Sequence, residues 1–193
     1  MAAVALSTAK SEIAQPLFII LCSLGIFGLI VFDFVPYYTL GEDIKMLKGT
    51  SLNLVLVLAI IQAIWAASTS VADEIEGKTA LTVLSKPVSR RDFILGKFVG
   101  IAWTVAIMFV IFGAVMLVTV TYKTIYDARE NSTDMDQITW QVCHKEMMQT
   151  IPGLSLAYME TLVLAALSVA ISTRLPMLAN FTISFAIYVL GHL

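Results

Sequence analysis

The chain has 193 residues, of which 59% are hydrophobic and only 13% charged, and its mean hydropathy is +0.87. Soluble domains carry about 25% charged residues, so a water-soluble globule is excluded and the bilayer must act as solvent. A net charge of −2 leaves no basic footprint for nucleic acid.

Charge-free stretches mark the spans in chain order. Ile13 to Phe32 lies between Glu12 and Asp33, and Gly49 to Ala72 between Lys48 and Asp73. Phe98 to Tyr122 lies between Lys97 and Lys123. Met147 to Thr173 is broken only by Glu160, and Leu175 to Leu193 follows Arg174. Each approaches or exceeds the roughly 20 apolar residues of a spanning helix, and none alternates with period two, which disfavours a barrel. The expected fold is an all-α polytopic transmembrane bundle with spans near 13–34, 51–72, 98–122, 151–173 and 175–193. A polar segment over 73–97 and a loop over 123–148 separate them. The last span ends at Gly191-His192-Leu193 without a flanking charge, so a fragment of a protein with six or more spans is expected.

Lys and Arg in short loops set orientation. Lys10, Lys78, Lys86, Arg90, Arg91, Lys97 and Arg174 fall on one side. Lys45, Lys48, Lys123, Arg129 and Lys145 fall on the other. The cluster from Lys86 to Lys97 places the N-terminus and 73–97 in the cytoplasm and 123–148 outside. The span after this cluster has a legible start. Ser89 and Asp92 match a capping box, Val88 and Phe93 a hydrophobic staple, and Pro87 stops what precedes. Arg90 and Arg91 oppose the helix dipole, so lipid anchoring or contact with a partner must favour them.

Glu160 is the one carboxylate within a span. A central acidic residue costs about 2.5–3.5 kcal/mol, and the nine Leu, Ile and Val residues of 151–173 return about 4 kcal/mol. Glu160 is therefore expected to face the bundle interior or a wet cavity. There it would serve as a substrate-path or gating residue, or as a hydrogen bond between helices. Asn53, Gln62 and Asn180 read as interhelical glue. Gly25 and Gly28 read as close-packing positions, and Trp65 and Trp103 as bundle or interface residues. Pro36-Tyr37-Tyr38 reads as an outer interface anchor.

Several chemistries find no support. Cys22 lies in an apolar run and Cys143 in a polar one, which argues against a bridge. Cys143, His144 and Glu146 lack a metal-ligand spacing. Asn131-Ser132-Thr133 is a glycosylation sequon relevant only in a eukaryotic secretory context, which is not expected. No phosphate-binding loop occurs; Gly96-Lys97 is followed by Phe98 and lacks the glycine-rich turn. Metalloprotease and serine-hydrolase motifs are also missing. The chain is not expected to be an enzyme or to bind a cofactor.

The segment from Ala72 to Lys97 (ADEIEGKTALTVLSKPVSRRDFILGK) resembles the ABC transporter type-2 permease family. An acidic residue, a Gly-Thr-Leu-like triplet, a Leu-Ser-x-Pro-Val-Ser-Arg run and a closing Gly-Lys fall on Glu74, on Gly77 with Thr79 and Leu81, on Leu84 to Arg90, and on Gly96-Lys97. Lys78 and Ala80 interleave the triplet, a departure from the pattern. The chain is similar to permease components linked to multicopper-enzyme maturation. The resemblance implies a permease subunit of an exporter in a prokaryotic cytoplasmic membrane, working as a homo- or heterodimer. It also implies a separate ATPase that uses ATP and Mg. On this basis Glu74, Glu76, Gly77, Thr79, Leu81, Leu84, Pro87, Ser89 and Arg90 are the expected ATPase-coupling residues. Val71 and Ile75 share a helix face, and Asp73, Glu74, Glu76 and Lys78 offer a charged one. The competing reading is a non-transporting membrane scaffold that uses the same fold to recruit cytoplasmic partners.

Overall fold

The structure is a computed structural model that describes the backbone of residues 2–34, 43–76, 90–130 and 135–192, with side chains over 2–34, 43–70, 91–126 and 141–192. Among these residues every regular element is an α-helix. The helices are α1 (Ala2–Ile13), α2 (Pro16–Phe34), α3 (Asp43–Glu76), α4 (Arg90–Glu130), α5 (Met135–Ser172) and α6 (Met177–His192).

Proline and polar residues punctuate the run. Pro16 begins α2, where its missing N–H costs nothing. The preceding turn is closed by the Ala14 and Gln15 amides, which donate to the carbonyls of Lys10 and Glu12. Arg174 and Leu175 both donate to the Ile171 carbonyl and end α5. Pro176 then lets α6 start, and its carbonyl accepts from the Asn180 amide. Pro152 sits inside α5, where it removes one backbone donor.

Among the described residues four helices are long and apolar enough to cross a bilayer: Pro16–Phe34, Asp43–Ser70, Arg91–Tyr126 and Gln141–Ser172. Met177–His192 is apolar but has 16 residues. The helices outrun the expected spans, so much of 123–148 is helix rather than loop.

Helix α3 is the most enclosed and packs against α2, α4, α5 and α6. Val55, Ala59, Ile60, Ala63, Ile64 and Ala67 of α3 are fully buried, and Val105, Met108 and Phe112 of α4 meet them in the same core. The outer surface is apolar too. Ile19, Phe27, Trp103, Val110, Leu156, Val163 and Leu178 are all exposed, as lipid-facing side chains must be. Lipid tails are as apolar as leucine, so association depends on close packing rather than on water exclusion. The two glycines of α2 serve that need. A Cβ on Gly25 would run into the Phe112 ring and lie 2.9 Å from Leu58, and one on Gly28 would lie 2.8 Å from Leu54.

Helix α1 is too short to span. It packs on the start of α4 and only slightly on α2. Gly100 permits this, since a Cβ there would lie 2.7 Å from both the Ala5 carbonyl oxygen and the Thr8 Cβ.

Candidate functional site: the polar end of the bundle

The expected coupling residues lie at the junction between α3 and α4. Glu74 and Glu76 fall on the last turns of α3, and Arg90 is the first residue of α4; their side chains lie outside the described ones. Gly77, Thr79, Leu81, Leu84, Pro87 and Ser89 lie outside the described residues altogether. What the structure does describe is the frame around them.

Lys97 dominates that frame. It is 7% exposed. Its Nζ donates to the Ser70 backbone carbonyl at 2.8 Å, and it stands 5.7 Å from the centre of the Phe93 ring. The bond joins two positions 27 residues apart, one on each side of the junction. A charge-assisted bond of this kind is about twice as strong as a neutral one.

Beside Lys97 lies a polar pocket of about 290 Å³. Ser7, Thr8, Ser11 and Glu12 of α1 line it with Gln15 of the following turn, Ser70 of α3 and Lys97 of α4. Glu12 is 1% exposed. In the sequence Glu12 marks a span boundary, and the pocket is not apparent there. One signal was present: Thr8, Ser11, Glu12 and Gln15 recur at helical spacing and make a polar stripe.

Glu160 is elsewhere. It lies on α5, with roughly 18 Å of helix between it and Ser172. Its carboxylate is 3.5 Å from Nδ1 of His192 on α6, and both side chains are partly exposed. His192 ends a row in which Phe181, Phe185, Tyr188 and His192 are successive ring neighbours. His192 has no role apparent from the sequence. Its spacing of four residues from Tyr188 was the available clue.

The three weaker polar positions separate in the structure. Asn180 is fully buried. Its Nδ2 donates to Ser68 Oγ at 2.8 Å and to Ser168 Oγ at 3.1 Å, and its Oδ1 accepts from Ser184 at 3.1 Å. It ties α3, α5 and α6 together, as interhelical glue should. Gln62 is also fully buried, yet neither of its amide atoms has a hydrogen-bond partner among the described residues. Asn53 is exposed.

At the other end of the bundle, the Lys48 ammonium pairs with the Glu146 carboxylate and links α3 to α5. Cys143 is buried and unbridged.

A sequence profile described as ABC-2 family transporter protein matches residues 3–192. No curated protein and no solved structure matches the chain.

Proposed function

The chain belongs to the ABC-2 transporter family and is a membrane-embedded permease of an ABC transporter; we propose that it is the exporter subunit driven by a separate ATPase through the junction between α3 and α4. The observation that carries this reading is the Lys97 bond to the Ser70 carbonyl. A force applied between Val71 and Gly96 meets two helices already joined at their bases. Through Gly100 it also meets α1. The three elements would respond together, which is what transmission from a closing ATPase dimer requires.

In this reading Glu74, Glu76 and the Gly77–Ser89 stretch face the ATPase, and Arg90 anchors the base of α4. ATP and Mg are handled by the partner. A second permease copy completes the path, the N-terminus is cytoplasmic and the membrane is the cytoplasmic membrane of a prokaryote. Glu160 with His192 forms a polar point on that path. A carboxylate within a span is costly in hydrocarbon, so the exposed part of Glu160 is assigned to a wet or partnered face.

The test is ATP turnover in membranes that hold the chain with its ATPase, comparing the intact chain with Glu74→Ala. Loss of coupled turnover with retained ATPase binding supports the reading. Failure of any ATPase to bind the intact chain removes its mechanism and leaves the scaffold alternative.

A further inference from the structure

Helices α3 and α5 lie side by side and run in the same direction. Lys48 pairs with Glu146, a Cβ on Gly153 would lie 2.8 Å from Leu52, and Asn180 joins Ser68 to Ser168. These points divide the seam between the helices into two stretches that are held differently. Beyond Gly153 the seam runs to the hydrogen-bond network centred on Asn180. On the other side of Gly153 the Lys48–Glu146 pair closes its mouth.

Polar side chains in this second stretch do not bond across it. Ser51, three residues from Lys48 and on the same face, is 1% exposed, and its hydroxyl has no hydrogen-bond partner among the described residues. Thr150 is equally buried and donates to the Glu146 carbonyl of its own helix at 2.9 Å. An unpaired hydroxyl in a dry seam is costly, so Ser51 favours any state in which water reaches it. Helix α5 is built to allow one. Pro152 takes a donor out of its ladder beside the close approach at Gly153, and a helix bends most easily at such a point. The Lys48 and Glu146 side chains keep 13% and 21% exposure, so water can take the place of each partner.

We propose that the seam between α3 and α5 is a gate that opens at its Lys48–Glu146 end, with that pair as the latch and Pro152–Gly153 as the bending point, and admits water to Ser51 and Thr150. While the pair holds, the seam stays dry. When it parts, both charges gain solvent, the Ser51 hydroxyl gains a partner, and the opened walls suit a polar solute. The Asn180 network keeps the far stretch shut. The gate lies at the end of the bundle opposite Lys97, and the inference holds whether or not an ATPase drives the chain.

Cys143 supplies a native reporter. It lies three residues before Glu146 on the same face of α5, is 5% exposed and carries a free thiol, which opening would uncover. The full chain, purified in mild detergent, is treated with N-ethylmaleimide. Rates at Cys143 and at Cys22, the other cysteine of the chain, are read by peptide mass spectrometry. Lys48→Met and Glu146→Gln are each expected to speed modification of Cys143 about tenfold while Cys22 keeps its rate. The exchanged pair, Lys48→Glu with Glu146→Lys, is expected to return Cys143 to within about twofold of the intact chain. Ser51→Ala removes the unpaired hydroxyl and is expected to slow Cys143 about threefold. Thermal midpoints check folding, and either latch variant suffices if the other unfolds. An unchanged Cys143 rate in the latch variants overturns the proposal. Equal acceleration at Cys22 does so too, since the whole bundle then loosens. A rate that the exchanged pair fails to lower removes the latch, and faster modification in Ser51→Ala removes the hydration of the seam.

Discussion

Lys97 and Ser70 hold the bases of α4 and α3 together through one bond, from an ammonium to a backbone carbonyl 2.8 Å away. The acceptor is main chain, so no substitution at position 70 can remove it, and the lysine is the sensitive partner. Lys97→Met keeps the stem that packs by Phe93 and deletes the charge. It is expected to lower stability by about 1.5–3 kcal/mol and to abolish ATP-coupled transport. Thermal unfolding in detergent and ATP turnover with the partner ATPase would check the two effects. Unchanged turnover would detach this bond from coupling.

Asn180→Leu removes the centre of a network that reaches Ser68, Ser168 and Ser184. Bonds between membrane helices average about 0.6 kcal/mol each, so a total loss of about 1–2 kcal/mol is expected. In a double-mutant cycle with Ser68→Ala the two effects should fail to add. Additive effects would mean that the network does not act as a unit.

Gln62→Leu should do the opposite. An enclosed amide without a partner is replaced by an apolar side chain of similar length, and stability is expected to rise by about 1–2 kcal/mol. If transport falls while stability rises, the amide is kept for a state other than this one. A fall in stability would show that Gln62 is already satisfied.

His192→Ala leaves Glu160 beside the aromatic row without its neighbour on α6. The cost of the single substitution is expected to exceed that of His192→Ala with Glu160→Gln by about 0.5–1 kcal/mol. Chemical unfolding of the four proteins of the cycle would measure it. Equal costs would mean that the contact carries no energy.

Gly100→Val is aimed at the seat of α1. The added side chain meets the Ala5 carbonyl oxygen and Thr8, both parts of another helix, so α1 must lift. Amide hydrogen exchange over residues 2–13 is expected to quicken by at least about tenfold, while exchange at the α3 core stays slow. Uniform protection would show that α1 adapts without leaving.

Much of the helical bundle was legible because charges punctuate it. Lys48, Lys97, Lys123 and Arg174 delimit apolar runs, and the hydrocarbon core makes such runs helical. The tight packing at Gly25 was legible because a missing side chain has few other uses inside a span. The polar pocket was hidden for a physical reason. Lys97 bonds to a carbonyl, which every residue has, so nothing in the sequence names Ser70 as its partner. Glu12 looked like a boundary because one helix turn cannot reveal that another helix covers it. The pairing of Glu160 with His192 needed the relative rotation of α5 and α6, which hydrophobic periodicity does not supply when most faces are apolar.

Pro152 divides α5 between two different anchorages. On one side of it Glu146 is tethered to Lys48; on the other Ser168 belongs to the Asn180 network. A helix that lacks one rung of its ladder bends there at lower cost than elsewhere. The two halves of α5 are thus separate levers on a common fulcrum. The Glu146 half can swing with the Lys48 end of α3 that it grips while the Ser168 half stays in register with α6.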